Sequence, residues 1–506
     1  MGAGSVMSRL AVPIAALAVA LWSVTAAGQV PGTMLGVLMS GGADASGVLP
    51  DAFRSSVSRD GGLWSVCPAV GGPAVELERR HLEPLTRRLT AGEGAAFDRT
   101  TTARYLHPLA YRAWDVQLGA SLSRADASSW ADGVDGATRL DHEGSVLGVS
   151  LRAHNRRLGL EILAVGPLAR TASGLPGERT GGAVRFAPDR RLVLQASHGL
   201  EASRAGLGGR VIDDPVAFDL NAGQRTWRAG IAAGPWRRLA CDLAWTDTTI
   251  DPLDEITDAH RYELSPTSAH TGWRGAATMD LGAGHDVVLG LAEKETDVEA
   301  GAYWGGQKFG WLNYLESRLR TRILGWRWAS RGSWRIQTEW EWSRLEARAR
   351  AKVESWPFTS TVVDLMGIKQ IAYGELELDW DRVSCLYARE SAGTSLSLGG
   401  AYYRISPRAR LETWQPAFLV FGRTDYRLRE WDVTRIDLGA LLLKAEVGLG
   451  TGGALLLSLQ QFLWADVKRI RGVADGGADG AQDHEESVPD GWYGGTYLTA
   501  GLRWRL

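Results

Sequence analysis

Residues 114–123 read WDVQLGASLS, and their period decides the fold. Trp114, Val116, Leu118, Ala120 and Leu122 are apolar; Asp115, Gln117, Gly119, Ser121 and Ser123 stand between them. Successive side chains of an extended strand point to opposite sides, so a period of two describes a strand with one apolar and one polar face. In residues 147–154, Leu147, Val149, Leu151 and Ala153 alternate in the same way with Gly148, Ser150, Arg152 and His154.

Working outward, about sixteen such segments (14–18) follow one another, beginning near residues 112, 143, 157, 181, 190, 224, 237, 271, 285, 313, 332, 368, 394, 431, 453 and 492. Short turns fall at Asn155-Arg156, Pro188-Asp189, Pro235-Trp236, Gly282-Ala283-Gly284, Arg331-Gly332, Ala392-Gly393 and Gly450 to Gly453. Longer polar stretches lie between them: 125–142, 171–180, 204–222, 250–270, 299–312, 351–367, 406–430 and 471–491. Regular alternation of short and long connections is the pattern of a transmembrane antiparallel β-barrel, with tight periplasmic turns and longer external loops. A soluble propeller would instead repeat a motif every 40–50 residues or so, and none recurs.

Composition agrees. The 506 residues include 62 Gly and 22 Trp. Mean hydropathy is only -0.14, as expected when just alternate residues need be apolar. A net charge of -2 gives no basic field for nucleic acid. Cys67, Cys241 and Cys385 have neither metal-like spacing nor an even count. Cys241 and Cys385 fall in expected strands, as buried or lipid-facing thiols.

The N-terminus reads as an export signal over residues 1–28: Arg9, an apolar core from Leu10 to Val24, then the small residues Ala26-Ala27-Gly28 before Gln29. Residues 29–108 lack the strand rhythm. Within them, 74–89 (AVELERRHLEPLTRRL) suggests a helix, with Val75, Leu77, Leu82, Leu85 and Leu89 on one broad face and a kink at Pro84. This partly helical region is expected to be periplasmic or a plug, with the barrel over 109–506.

The chain ends on another alternating strand: Leu498, Ala500, Leu502, Trp504 and Leu506 on one face, Thr499, Gly501, Arg503 and Arg505 on the other. The end resembles the C-terminal assembly signal of bacterial outer-membrane barrels, carried here by Gly501, Trp504 and Leu506. Leu506 stands where that family usually has Phe or Trp, and Ala500 where it usually has a polar residue. The resemblance implies an outer-membrane location, contact with outer-membrane lipid and lipopolysaccharide, and handling by periplasmic chaperones and the barrel assembly machinery.

Aromatic girdles are expected at both water interfaces. Tyr111, Trp114, Trp236, Trp326, Trp328 and Trp334 would form the periplasmic one; Trp245, Trp380, Trp431, Trp464 and Trp492 would form the outer one. Charge facing lipid is costly, so charged rows should line the lumen. The expected pore-lining residues are Arg318, Arg320, Arg322, Arg335, Glu339, Glu341, Glu375, Glu377, Asp379, Arg503 and Arg505, with Glu316 and Asp381 in the same rows. They read either as a transverse field across the pore or as Arg–carboxylate bracing of the wall. The apolar face changes parity near Leu324 and again near Arg344, through a bulge or because the strands rise above the membrane.

No nucleophile elbow and no His-Glu-x-x-His stretch occurs, so neither catalytic residues nor a cofactor or metal are expected. His142 beside Asp141 and Glu143 reads as a solvated loop cluster, as does the acidic loop Asp475 to Glu486. The architecture resembles porins, which implies passive passage of small polar solutes. It is also similar in plan to capsule-assembly (Wzi-like) and alginate-export barrels, for which eighteen strands are expected and a polysaccharide would be the partner.

Overall fold

The computed structural model describes residues 72–87, 94–133, 136–171, 179–189, 191–211, 214–252, 262–304, 307–330, 334–353, 370–391, 393–416, 424–450, 452–475, 481–486 and 493–505. The export signal, residues 29–71 with Cys67, Trp492 and Leu506 lie outside them. Nineteen strands and no helix are found among the described residues.

Six strands come first: β1 (Ala74–Arg87), β2 (Gly94–Tyr111), β3 (Trp114–Gly133), β4 (Gly136–Asn155), β5 (Leu160–Arg170) and β6 (Arg179–Asp189). Next are β7 (Leu192–Val211), β8 (Asp214–Trp236), β9 (Leu239–Pro252), β10 (Tyr262–Gly282), β11 (His285–Trp304) and β12 (Gln307–Ala329). The series continues with β13 (Trp334–Val353), β14 (Gln370–Ser391), β15 (Thr394–Pro416), β16 (Thr424–Leu449) and β17 (Gly453–Asp475). Each pairs antiparallel with the next. The short β18 (Ala481–Glu486) pairs the upper end of β17. Finally β19 (Tyr493–Arg505) pairs β17 on one side and β1 on the other. The ring therefore closes with eighteen staves. Closure satisfies the backbone without a free edge, the condition for a sheet in lipid.

The sixteen expected segments are β3 to β17 without β18, plus β19. The two further staves are β1 and β2, and here the expectation is corrected: residues 74–87 are a strand, not a helix. Val75 and Leu77 alternate with Glu76 and Glu78 along it, and Glu76 faces Arg104 of β2 and Arg503 of β19 in register. Residues 74–87 and 94–108 of the expected plug or periplasmic region thus belong to the wall.

Six of the seven expected short turns lie at the ends of paired strands, Arg331-Gly332 lies outside the described residues, and a further turn lies at Arg112-Ala113. Asn155 Oδ1 accepts hydrogen bonds from the Arg157 and Leu158 amides, and Asp189 Oδ1 from those of Arg191 and Leu192. These side chains substitute for a backbone turn partner. The Asp115 carboxylate bonds Arg156 in the β4–β5 turn and raises that guanidinium above its ordinary pKa. Gly284 has φ +82°, and a Cβ there would lie 2.1 Å from the Ala329 carbonyl oxygen.

At the opposite end the expected loops are largely strand. The stretch 125–142 is a hairpin paired up to Gly133 and Gly136. Strands reach 26 residues in β16, although about 9–11 suffice to cross a bilayer. Above the end of β9, β8 and β10 meet in parallel at Phe218–Tyr262 and Asp219–Glu263.

Candidate functional site: the two faces of the wall

Directly opposed residues on neighbouring strands share a face, so the register sorts side chains into an outer and an inner set. Over most of the ring the outer set is apolar and exposed: Leu77, Leu118, Leu122, Val149, Leu151, Ile162, Phe186, Leu194, Ile231, Leu243, Leu289, Leu291, Leu324, Leu396, Leu398 and Leu455. Such a continuous apolar belt on a closed barrel is a lipid-facing surface. Tyr111, Trp236, Trp326, Trp334 and Trp504 stand exposed near its periplasmic end, and Trp227, Trp245 and Trp273 nearer the other. Trp380 departs from the expected girdle. It is buried on the inner face, donating from Nε1 to Glu341. The side chains of Trp431 and Trp464 are outside the described set. Cys385 is exposed on the outer face beside Val383 and Tyr387.

The inner set mixes apolar side chains, among them Leu106, Val146, Leu163, Val165, Val288, Leu386 and Leu442, with polar ones. Gln117, Ser123, Glu161, Gln195, Ser197, Asp242, Thr248, His270, Thr278, Thr296, Gln337, Glu339, Glu341, Arg382 and Ser384 are all buried there. Its charges form local clusters. At the seam, Arg503 Nε donates to Glu76 at 2.6 Å and Arg104 reaches Glu78 at 3.3 Å. On β4–β6, Glu161 accepts from Arg152 and Arg185. On β11–β12, Arg327 pairs with Asp286. On β13–β14, Arg382 pairs with Glu339 and, at 2.8 Å, with Glu341, whose other oxygen accepts from Ser343 at 3.0 Å. Among the described residues, Glu339 Oε2, Arg382 Nε and Ser384 Oγ have no hydrogen-bond partner. Beside these clusters Arg228, Lys444 and Glu446 stand on the inner face and are exposed.

The expected pore residues divide. Arg335, Glu339, Glu341 and Arg503 are on the inner face. Arg505 is opposite Ala74, with its side chain outside the described set. Arg318, Arg320 and Arg322 are not on the inner face. They share the parity of exposed Leu324 and Trp326, while Thr321, Ile323 and Arg327 point inward. Glu316 and Asp381 also take the outer parity. On β14, Glu375, Glu377 and Asp379 likewise share the parity of exposed Val383 and Tyr387, opposite buried Leu378 and Trp380.

The reason lies in the register. From Glu316 to Ala329 the β12–β13 pairing is unbroken, as is β13–β14 from Trp334 to Ala351. No bulge changes the parity. The strands leave the membrane, and the outer face turns from apolar to charged while the inner one becomes apolar: Leu345, Ala347, Leu378, Ile405 and Leu438 are buried inside. One register row makes the boundary visible, running Trp245, Trp273, Glu293, Arg320, Arg344, Asp379. Above it stands a collar of outward ion pairs: Arg318–Glu293 at 2.5 Å, Arg344–Glu346 at 3.0 Å and Arg348–Glu375 at 3.5 Å. The Arg row of β12 and the acidic row of β14, expected to face each other across a pore, therefore stand on the outside with β13 between them.

No protein-family model matches the chain, and no curated protein does. Among solved structures it is similar to Pseudomonas aeruginosa OccK7 (OpdD), at 13% identity and a TM-score of 0.33 over 85% of this chain and 99% of that one. Acinetobacter baumannii OccAB3 gives 9% identity and a TM-score of 0.35 over 85% and 98%. OmpT, an outer membrane protein of Vibrio cholerae, gives 10% and 0.30 over 55% and 89%. Likeness at this level transfers no substrate or mechanism. The chain's own closure, belt and turns make it an outer-membrane β-barrel.

Proposed function

We propose that this barrel is an outer-membrane channel of porin type for passive passage of small polar solutes. The observation that carries the reading is a closed ring whose outer face bears an apolar belt while charged groups, mostly paired, stand on its inner face. Inward Arg228, Lys444 and Glu446 are exposed to solvent. Eighteen staves are within the range that leaves an aqueous channel. The described inner charges are largely paired with neighbours on adjacent strands, which supports a braced wall over a transverse selecting field.

The test is single-channel conductance in a planar bilayer. Discrete ohmic steps from the mature chain are the expected result. Silence would sink the open-channel reading. The eighteen-stave count favours keeping the polysaccharide-assembly reading as second, since that count is expected of those barrels. For it, conductance would be absent from the mature chain and present only after removal of residues 29–71.

A further inference from the structure

The tight turns that join β2–β3, β4–β5, β6–β7 and β8–β9 form one half of the periplasmic rim, and every one of them presents arginine. Arg112, Arg156 with Arg157, Arg191, and Arg237 with Arg238 stand there, all exposed. Opposite charge on these turns is scarce. Asp115 is taken by Arg156, and Asp189 Oδ1 is occupied by the Arg191 and Leu192 amides. Arg112, Arg157, Arg191, Arg237 and Arg238 make no ion pair among the described residues. The other half of the rim differs. Gly282-Ala283-Gly284, Ala392-Gly393 and Gly450 to Gly453 carry no charge. Charges on the adjoining strand ends are matched: Arg327 pairs with Asp286, Arg335 with Glu390, and Lys444 stands two residues from Glu446.

Two of the arginines occupy backbone positions that disfavour a side chain. Arg112 has φ +55° and Arg237 φ +58°. Glycine or asparagine is the usual occupant of that left-handed region in a tight turn. The turn at Ala283, φ +54°, forms without an arginine. What Arg112 and Arg237 add is therefore an exposed charge at the rim.

We propose that this crescent makes the periplasmic mouth gather small anions, so that the channel passes anionic solutes in preference to cations, whatever their chemical type. The inference rests on the channel reading above. A mouth lined by one sign of charge raises the local concentration of the opposite ion. The effect reaches about 10 Å at about 0.1 M salt. Charge in the lumen is largely paired on the wall, whereas the crescent collects unpaired charge of one sign. Lipid headgroups would offer the arginines the same anionic chemistry, but lipid surrounds the whole rim and the arginines occupy half of it.

The test is the reversal potential of single channels of the full mature chain, in a bilayer of zwitterionic lipid, under a gradient of potassium chloride. The parent is expected to favour chloride. The variant R112Q/R157Q/R191Q/R237Q/R238Q should lose several-fold in its chloride-to-potassium permeability ratio, and the same five positions changed to Lys should keep it. Arg237→Gly alone, which suits the backbone there, should lose part of the preference and keeps the test open should the five-residue variant fold poorly. Arg389→Gln removes the same charge on the outer face, over Trp334, and should select as the parent does. Equal selectivity of the parent and the five-residue Gln variant, or a preference of the parent for potassium, would overturn the proposal. Loss of selectivity in the Lys variant would overturn charge as its cause. Conductance steps with unchanged selectivity would overturn this inference alone; no steps from any variant would overturn the channel reading and this inference with it.

Discussion

The lower and upper halves of β12–β14 use one backbone pattern for two opposite jobs. Near the periplasmic end, Leu324, Trp340 and Val383 face outward while Glu339, Glu341 and Arg382 are buried inside. Near the outer end, Arg318, Arg344 and Glu377 face outward while Leu345, Leu378 and Trp380 are buried. The pairing between them is continuous. What changes is the solvent. Lipid demands an apolar outer face, and water above it permits charge. Alternation reports a strand; which face is apolar reports where the membrane is.

The largest expected effect lies in the lower inner wall. Arg382 is 5% exposed and serves two buried carboxylates. Removing one partner of such a pair strands the other, so Arg382→Met should cost about 3–5 kcal/mol in urea unfolding from lipid vesicles. Replacing Glu339 and Glu341 by Gln as well should recover much of that loss; no recovery would mean that the ion pairs are not what the Met variant disturbs.

Next in size is the lower outer wall. Leu324→Arg places a charge in the belt and should cost about 2–4 kcal/mol, less if the site is near the headgroups. Arg318→Leu, three outward positions higher on the same strand, should stay within about 0.5 kcal/mol as a surface change. Equal penalties would put both residues in one solvent and break the comparison.

The collar should give the smallest effect. Arg348 is 63% exposed beside Glu375. Arg348→Gln should cost under about 0.5 kcal/mol, and less in high salt. A loss that persists in high salt would show a buried role for that pair.

The same comparison explains what the sequence could and could not disclose. β3 to β17 and β19 were legible because lipid enforces a strict apolar parity, as in Leu118 and Leu122. β1 and β2 were not. β1 offers only Val75 and Leu77 before Arg79, and its glutamates are explained by Arg104 and Arg503, one near and one some 430 residues away. The upper strands resembled loops because both faces there break the membrane rule. Arg318, Arg320, Arg322, Glu375, Glu377 and Asp379 were assigned to the lumen on the cost of charge in lipid, which applies only below the boundary row. Glu339 and Glu341 lie below it, where the rule applies. Arg382, which joins those two glutamates, and the Arg152–Glu161–Arg185 cluster carried no local signal. They exist only once neighbouring strands are in register.

The central claim, an aqueous path lined by the inner face, is tested most directly by thiol modification during single-channel recording. The background replaces Cys67, Cys241 and Cys385 with Ser, and single cysteines are then placed at Lys444 on the inner face or Arg320 on the outer. A charged thiol reagent should shift the conductance step of Lys444→Cys and leave that of Arg320→Cys unchanged. A shift at Arg320→Cys with none at Lys444→Cys would contradict the account.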